Sequence, residues 1–277
     1  MESIKKIFEE TKEALRKCYS EGEADKLVYI LFEDLLGISR TPILLNEDRE
    51  LDHLKLNGAI SRLLNNEPIQ HVTGFTYFLD RKFKTDKRAL IPRPETEELV
   101  KIIVAQNELD NPAILDIGTG TGCIAISLSL EIESRVSALD ISQEALELAR
   151  KNASHLNAKV EFFELDVLTS ELPSDQFDII VSNPPYIPKR EQVEMDLNVT
   201  HYDPSISLFV PDDDPLLFYK RIGELGLKSL IPSGKLYFEI HEKYGDAVKE
   251  QLEDLGYYDV IVYQDINGKN RIVSATN

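Results

Sequence analysis

Apolar residues recur every three or four positions through residues 1–66, and this period predicts amphipathic helices. One stripe comprises Ile4, Ile7, Phe8 and Leu15. Gly37 follows a second stripe and is expected to cap the C-terminus of a helix. Pro68 is expected to stop the helix of a third stripe. The pattern predicts a small helical bundle, whose second and third stripes are Leu27, Ile30, Leu31, Leu35 and Leu36, and Leu51, Leu54, Ile60, Leu63 and Leu64.

The pattern changes between residues 69 and 92, where aromatic residues alternate with polar ones. Phe75, Tyr77, Phe78 and Phe83 predict a short β-hairpin that links two domains. After Pro92 and Pro94 the apolar spacing becomes helical again. We therefore expect a helical substrate-recognition domain over residues 1–67, a linker with a hairpin over 68–92, and a catalytic domain over 93–277.

From residue 113 onward, short apolar runs alternate with helical stretches. Alternating β and α units indicate a parallel sheet with helices on both faces. The predicted fold is α/β, with a doubly wound, mostly parallel, seven-stranded sheet and the helical bundle as a separate domain. Asn267-Gly268 predicts a terminal hairpin, so we expect one antiparallel strand at an edge of the sheet. The predicted strands are Ala113–Ile117, Arg135–Ile141, Val160–Leu165, Phe177–Ser182, Lys235–Ile240, Tyr257–Tyr263 and Arg271–Ala275.

Composition narrows the class of protein. The formal net charge is −18, and a field of that sign repels phosphate backbones. Direct nucleic-acid substrates are therefore disfavoured. The two cysteines, Cys18 and Cys123, exclude a disulfide framework and a cysteine-rich zinc site. The chain shows neither a membrane-length apolar run nor a signal-peptide pattern, so we expect a cytoplasmic protein.

A glycine-rich turn follows the first strand of the predicted sheet. Gly118, Thr119, Gly120, Thr121 and Gly122 let the backbone approach a ligand closely, beside the N-terminus of the next helix. The spacing is G-x-G-x-G, because Cys123 stands where a dinucleotide fingerprint has its third glycine. The sequence thus disfavours a dehydrogenase.

Three carboxylates accompany this turn. Asp140 ends the second strand, where a carboxylate can accept from both hydroxyls of a ribose. Asp116 precedes the turn and either orients it or meets a cationic amino group. Asp166 follows the third strand and is either a contact for an adenine amino group or a cap of the strand end. The glycine spacing and Asp116 resemble the first motif of S-adenosylmethionine-dependent methyltransferases.

The tetrapeptide Asn183-Pro184-Pro185-Tyr186 follows the fourth strand, at the sheet edge where ligands of open α/β sheets bind. The prolines remove two backbone donors. The side-chain oxygen of Asn183 and the backbone oxygen of Pro184 can then accept both hydrogens of a planar –NH2 group. Tyr186 offers a flat face for that group.

An amide nitrogen is a poor nucleophile, because its lone pair is conjugated; the amide rotation barrier is about 18–20 kcal/mol. The site must therefore favour partial pyramidalisation of the nitrogen in the transition state. Two acceptors can do this, and orientation of the nitrogen toward a methyl group can contribute about 7–11 kcal/mol. A sulfonium donor requires neither a metal nor a general base, so no metal site is expected.

Ile91-Pro92-Arg93-Pro94-Glu95-Thr96-Glu97 decides between the enzymes that share Asn-Pro-Pro-Tyr. This string, with Gln70–Gly74, resembles the family of peptide chain release factor glutamine N5-methyltransferases. The resemblance is specific from about residue 68 onward.

The resemblance implies a methyl donor, S-adenosyl-L-methionine, which leaves S-adenosyl-L-homocysteine. It implies as substrate the glutamine of the Gly-Gly-Gln loop of class I release factors, whose methylation modulates translation termination. Asn183 would bind the target amide, in a pocket shaped by Pro184 through Tyr186. Arg93, Glu95, Thr96 and Glu97 would line the substrate cleft. The predicted donor-binding residues are Gly118, Thr119, Gly120, Thr121, Gly122, Asp140, Asp166, Val167 and Asn183.

Val167 or Leu168 stands where the family has an aromatic residue, so aliphatic packing would replace stacking on adenine. Alternatives share the planar-amine chemistry: a DNA or RNA adenine N6-methyltransferase, which would need base flipping, and a ribosomal-protein glutamine methyltransferase. A non-catalytic module of the same fold is a further alternative, which the presence of both Asp140 and Asn183 disfavours. The expected partners are class I release factors, with no membrane and no direct nucleic-acid substrate.

Overall fold

The computed structural model describes residues 2–173, 176–195 and 197–277. The chain forms two compact units, one of Met1–Phe75 with Asp196–Tyr202 and one of Thr76–Met195 with Asp203–Asn277. The elements of the first unit are β1 (Glu2–Ser3), α1 (Ile4–Leu15), α2 (Glu21–Ile30), a π-helical turn (Leu31–Leu35), α3 (Arg40–Leu44), β2 (Asp48–Arg49), α4 (His53–Leu64), α5 (Ile69–Thr73), the first residue of β3 (Phe75–Phe78), and α9 (Leu197–Tyr202).

The first unit is a helical bundle around its own core. Ile4, Phe8 and Leu15 of the first stripe are buried, as the helical period predicts. Gly37 adopts a φ of 69° just after the π-helical turn, where a residue with a side chain would be strained. The prediction that Leu54 faces the core is wrong, because its side chain is 86% exposed in the first turn of α4.

The second unit contains the large sheet. Its elements are most of β3, then β4 (Arg81–Lys84), α6 (Pro94–Gln106), β5 (Ala113–Ile117), α7 (Cys123–Glu131), β6 (Arg135–Asp140), α8 (Gln143–Leu156), β7 (Val160–Glu164), β8 (Phe177–Ser182), β9 (Ile187–Pro188), β10 (Phe209–Val210), α10 (Leu217–Ser229), β11 (Leu230–Glu239), α11 (Gly245–Leu255), β12 (Tyr258–Gln264) and β13 (Asn270–Thr276), with 3₁₀ turns at Lys189–Glu194 and Ser205–Ser207.

Seven strands form one sheet in the order β12-β13-β11-β8-β5-β6-β7. This arrangement confirms the predicted seven-stranded, mostly parallel sheet. The expected edge position of the antiparallel strand is wrong. β13 runs antiparallel between β11 and β12, and β12 is the edge strand. The hairpin returns its second strand toward the sheet centre, where Ile272 and Val273 are buried.

The strand register brings three residues of the candidate site to one edge of the sheet. Ser182 of β8 pairs with Ile117 of β5 on one side and with Phe238 of β11 on the other. The Ser182 hydroxyl also donates to the Ile117 carbonyl at 2.7 Å. Consequently Asn183, Gly118 and Glu239 each follow directly on a paired residue, at the carboxyl edge where open α/β sheets bind ligands.

Candidate active site

A cavity of about 240 Å³ opens at this carboxyl edge, within the second unit. Its wall includes the backbone from Gly118 to Thr121, together with Asp140, Asp166 and Asn183. Of the residues predicted to bind the donor, all except Gly122 therefore line one cavity.

The glycines of the turn have backbone conformations that a side chain would strain. Gly118, Gly120 and Gly122 have φ values of 76°, 55° and 83°. A Cβ on Gly122 would lie 2.8 Å from the Ile126 Cδ1, whereas a Cβ on Gly118 would meet no atom within 4 Å. Gly122 is thus required for packing of the turn on α7, and Gly118 leaves space at the wall of the cavity.

Asp140 supports the turn and faces the cavity. One carboxylate oxygen accepts from the Gly120 amide at 2.9 Å, and the other accepts from the Ser142 amide at 2.9 Å. Burial raises the pKa of Asp140, and these backbone amides oppose the rise. Each carboxylate oxygen retains a further lone pair, so the group can still accept from ligand hydroxyls.

Asp116 lies beneath the turn and is fully buried. Its Oδ2 accepts from the Thr119 hydroxyl at 2.6 Å and from the Ala125 amide at 3.2 Å. These contacts join the turn to the first turn of α7. Of the two roles left open by the sequence, orientation of the turn is the one for which Asp116 has contacts.

Asp166 and Val167 form another part of the cavity wall. The Asp166 carboxylate accepts from the Leu168 amide at 3.0 Å and from the Thr169 hydroxyl at 2.9 Å, so it does cap the turn after β7. It also lines the cavity, as do Leu165, Val167 and Leu168. This side of the cavity is therefore aliphatic, with one carboxylate at its margin.

Asn183 presents one end of its amide to a partner and leaves the other end open. Its Nδ2 donates to the Thr96 hydroxyl oxygen at 3.3 Å. Its Oδ1, and the carbonyl oxygen of Pro184, accept no hydrogen bond from the described part of the chain. Both residues line the cavity. Two acceptors are thus available where the sequence predicts them.

Tyr186 is held from both sides. Its hydroxyl donates to the Glu239 carboxylate at 3.2 Å, and its ring lies edge-on to His241 with centroids 5.9 Å apart. Burial raises the pKa of Tyr186 far above its ordinary value, and the negative charge of Glu239 adds to the rise. The next residue, Ile187, donates its amide to the Leu208 carbonyl at 3.0 Å, which fixes the chain after the tetrapeptide.

Glu239 is a buried acid that the sequence reading missed. Its side chain accepts from Tyr186 through Oε1 and from the Thr96 hydroxyl through Oε2 at 2.6 Å. Burial raises the pKa of Glu239, whereas the hydrogen bonds from Thr96 and Tyr186 and the charge of Arg271 oppose the rise and favour the ionised form. The sequence feature that could have indicated this site is a glutamate within the apolar run of β11, at the end of the strand.

Two of the four residues predicted for the substrate cleft line this cavity. Arg93 lines the cavity and forms an ion pair with the buried Asp203 at 2.8 Å. Thr96 also lines the cavity and donates its hydroxyl hydrogen to Glu239. Glu95 and Glu97 are not in its wall. Glu97 instead accepts from the Leu79 amide at 3.0 Å and from Lys101. The assignment of all four to a substrate cleft stays a prediction.

In residues 2–173, 176–195 and 197–277, no cluster of three or more His, Cys, Asp or Glu side chains could hold a metal ion. In the same ranges, no helix has both the length and the apolar character that a membrane span requires.

The fold is shared with methyltransferases of known structure. A crystal structure of a methyltransferase from Pyrococcus furiosus aligns with a TM-score of 0.54 over 79% of this chain and 98% of that one, at 19% identity. A 16S rRNA N2 G1207 methyltransferase from Thermus thermophilus, in complex with AdoMet and guanosine, aligns with a TM-score of 0.53 over 73% of this chain and 49% of that one, at 15% identity. The second unit therefore has a methyltransferase fold.

Sequence comparisons define the family more narrowly. Residues 95–201 match the methyltransferase small domain and residues 6–74 match the PrmC N-terminal domain. A release factor glutamine methyltransferase from Bacteroides thetaiotaomicron is 44% identical over 95% of this chain and 96% of its own. One from Lactococcus lactis is 47% identical over 80% of this chain and 82% of its own. The chain belongs to the release factor glutamine methyltransferase family, which confirms the resemblance found in its sequence.

Proposed function

We propose that this protein transfers a methyl group from S-adenosylmethionine to the side-chain amide nitrogen of the glutamine in the Gly-Gly-Gln loop of class I release factors, and so modulates translation termination. The observation that carries the proposal is the open pair of acceptors, Asn183 Oδ1 and the Pro184 carbonyl, on the wall of the cavity that also contains the glycine turn. Membership of the family supports both the reaction and the substrate.

The lining of the cavity fits the donor. Asp140 has lone pairs for ribose hydroxyls, and the glycine turn lets the backbone approach a ligand without side chains in the way. Val167 and Leu168 supply an apolar surface for a flat base. Asp166 stands at the margin of that surface, where its carboxylate can accept from an exocyclic amino group.

S-Adenosylmethionine, when bound, supplies a methyl group on a positively charged sulfur. The residues of the chain act on the glutamine amide. Asn183 Oδ1 and the Pro184 carbonyl accept its two hydrogens, which holds the nitrogen in place and favours the pyramidal geometry that frees its lone pair. The new nitrogen–carbon bond replaces the sulfur–carbon bond, whose electron pair stays on the sulfur, and the nitrogen releases one hydrogen to water as a proton. Tyr186, predicted to offer a face to the amide, does not line this cavity, and its bond to Glu239 instead fixes the end of the tetrapeptide.

The helical unit has a proposed role in recognition of the release factor. Leu44, Leu45 and Leu54 of this unit are 74%, 68% and 86% exposed, so these apolar side chains are available for contact with a protein partner. Replacing all three with serine should raise the KM for an intact release factor at least about fivefold. The KM for a short Gly-Gly-Gln peptide should not change. Equal effects on protein and peptide would contradict this role.

Mass spectrometry tests the proposed reaction. The purified protein is incubated with S-adenosylmethionine and a class I release factor, and the Gly-Gly-Gln peptide is sequenced. We expect the mass of one methyl group on the glutamine side chain and none on a release factor in which that glutamine is alanine. Methylation of duplex DNA or of a ribosomal-protein glutamine, with the release factor unmodified, would show that the substrate is wrong.

A further inference from the structure

Glu239, Thr96 and Asn183 form a chain of hydrogen bonds that ends at the NH2 group of Asn183. Thr96 donates its hydroxyl hydrogen to Glu239 Oε2 at 2.6 Å, and Asn183 donates from Nδ2 to the same hydroxyl oxygen at 3.3 Å. Thr96 and Glu239 are 2% and 1% exposed, so water does not compete for these bonds. We propose that Glu239 is a positioning residue that, through Thr96, determines which end of the Asn183 amide faces the target. This rests on the proposed function, because it concerns the acceptor offered to the glutamine.

The number of hydrogens on each group determines which group donates and which accepts in these two hydrogen bonds. A threonine hydroxyl has one hydrogen, and a carboxyl oxygen that carries no proton can only accept, whether or not the other oxygen of the group is protonated. Because Glu239 takes the hydrogen of Thr96, the hydroxyl oxygen of Thr96 can only accept from Asn183. That bond requires the NH2 end of the Asn183 amide, and the oxygen end is left for the cavity. A carboxylate that never contacts the substrate thus selects the orientation of the group that does.

The orientation matters because the two ends of an amide have opposite character. An inverted Asn183 would present two N–H donors to a target that also carries two N–H donors, and the acceptor pair with the Pro184 carbonyl would be lost. Shape does not prevent this inversion, since the oxygen and nitrogen of an amide are nearly the same size. The hydrogen-bond partner must therefore prevent it.

The same carboxylate also holds the other end of the tetrapeptide. Glu239 Oε1 accepts from the Tyr186 hydroxyl while Oε2 accepts from Thr96. The strand register explains the placement, since Phe238 pairs with Ser182 and the following residues, Glu239 and Asn183, are therefore neighbours at the carboxyl edge of the sheet. Glu239 is therefore bonded directly to Tyr186 and, through Thr96, to Asn183.

A matched set of variants tests the relay by steady-state kinetics with a release factor. Thr96→Val removes the hydroxyl at nearly constant shape, and we expect kcat to fall at least about tenfold. Thr96→Ser keeps the hydroxyl and should stay within about threefold of the unchanged protein. The KM for the release factor and the donor Kd should move less than about threefold in both variants. If Thr96→Val does not fold, Thr96→Ala is compared with the same serine control.

Glu239→Gln tests whether the carboxylate of Glu239 sets the direction of the hydrogen bonds through Thr96 to Asn183. A glutamine offers one acceptor and one donor to two hydroxyls, so one of those hydroxyls must reverse. We expect a lower kcat for this variant. The double variant Thr96→Val/Glu239→Gln should lose no more than its more impaired single parent, because both changes break one chain of bonds. Losses that multiply in the double variant, or equal kcat values for Thr96→Val and Thr96→Ser, would overturn the proposal.

A second measurement needs neither donor nor release factor. In the ¹⁵N-labelled protein, the side-chain NH2 signal of Asn183 is identified by its loss in Asn183→Ala. Its hydrogens should exchange with water at least about tenfold faster in Thr96→Val than in Thr96→Ser. Equal exchange rates would overturn the relay. Protected NH2 hydrogens in a protein that fails to methylate any release factor would instead sustain the relay and contradict the proposed substrate.

Discussion

Asp116 and Thr119 are joined by a 2.6 Å hydrogen bond beneath the glycine turn. The bond occupies one oxygen of a carboxyl group that is fully buried, and the other oxygen, Oδ1, has no hydrogen-bond partner among the described residues. Burial raises the pKa of Asp116 from 3.8 to about 7, although the bonds from Thr119 and Ala125 oppose the rise. The turn is therefore held by a carboxyl group whose ionised form is destabilised by burial.

This raised pKa predicts how stability varies with pH. Between pH 3.8 and about 7 the folded protein keeps a proton on Asp116 that the unfolded chain has released. The contribution of this group to the free energy of unfolding is therefore full at low pH and declines as pH rises through that range. Asp116→Asn cannot titrate, so it should lack the decline.

Urea unfolding at about pH 5 and about pH 8 measures the effect. The wild-type protein should lose more stability between these conditions than Asp116→Asn, by a few kcal/mol on the scale of about 1.4 kcal/mol per pKa unit. Asp140, Asp203 and Glu239 also have raised pKa values, and comparison with the variant cancels their effects. Identical pH dependence in the two proteins would contradict the raised pKa of Asp116.

Two glycines of the turn provide a matched test of backbone strain against packing. Gly118→Ala forces alanine into a left-handed conformation in open space and should cost about 1–2 kcal/mol of unfolding free energy. Gly122→Ala adds a Cβ 2.8 Å from Ile126 and 3.2 Å from the Ala149 side chain, which should cost about 1–3 kcal/mol more. Denaturant unfolding measures both. Equal losses would mean that α7 and α8 relax around the new methyl group.

The two thiols should differ in reactivity. Cys18 is exposed in the helical unit, whereas burial raises the pKa of Cys123 to about 12 at the start of α7. Because the thiolate is the nucleophile, iodoacetamide at about pH 8 should modify Cys18 alone in the native protein. Cys18→Ser should stay unmodified until it is unfolded. Rapid native modification of Cys123, read by peptide mass spectrometry, would contradict its burial.

Removal of the Asp140 carboxylate should weaken donor binding more than removal of an aspartate carboxylate outside the cavity. Asp140→Ala removes a carboxylate from the cavity wall and should raise the Kd for S-adenosylmethionine roughly ten- to a hundredfold by calorimetry. Asp178→Ala is the control, because its carboxylate also accepts a backbone amide, that of Ala113, but does not line the cavity. Equal weakening by both substitutions would indicate a general loss of structure.

Local patterns predicted much of this molecule, because each depends on nearby residues. The strand Phe177–Ser182 lies where its apolar run predicts, and β11 begins earlier than predicted, at Leu230. Contacts between distant segments were not predictable in this way. The antiparallel β13 lies inside the sheet rather than at its edge, because strand order depends on packing of the whole sheet.

Glu239 shows the same limit at the candidate site. Its partner Thr96 lies 143 residues away on α6, and the packing of α6 against β11 brings the two side chains together. The sequence predicted the acceptors in Asn183 and Pro184 from their chemistry. It could not predict the buried carboxylate that holds them, because a glutamate in a strand is more often exposed than buried.

Methyl transfer to a release factor by Asn183→Ala, measured at saturating S-adenosylmethionine, tests the central claim most directly. Asn183 Oδ1 is proposed to hold and activate the target amide, so its removal should lower kcat roughly a hundredfold or more. Calorimetry should give a donor Kd within about threefold of the unchanged protein, since Asp140 and the glycine turn remain. A variant that keeps most of its kcat would contradict the claim that this oxygen activates the glutamine nitrogen.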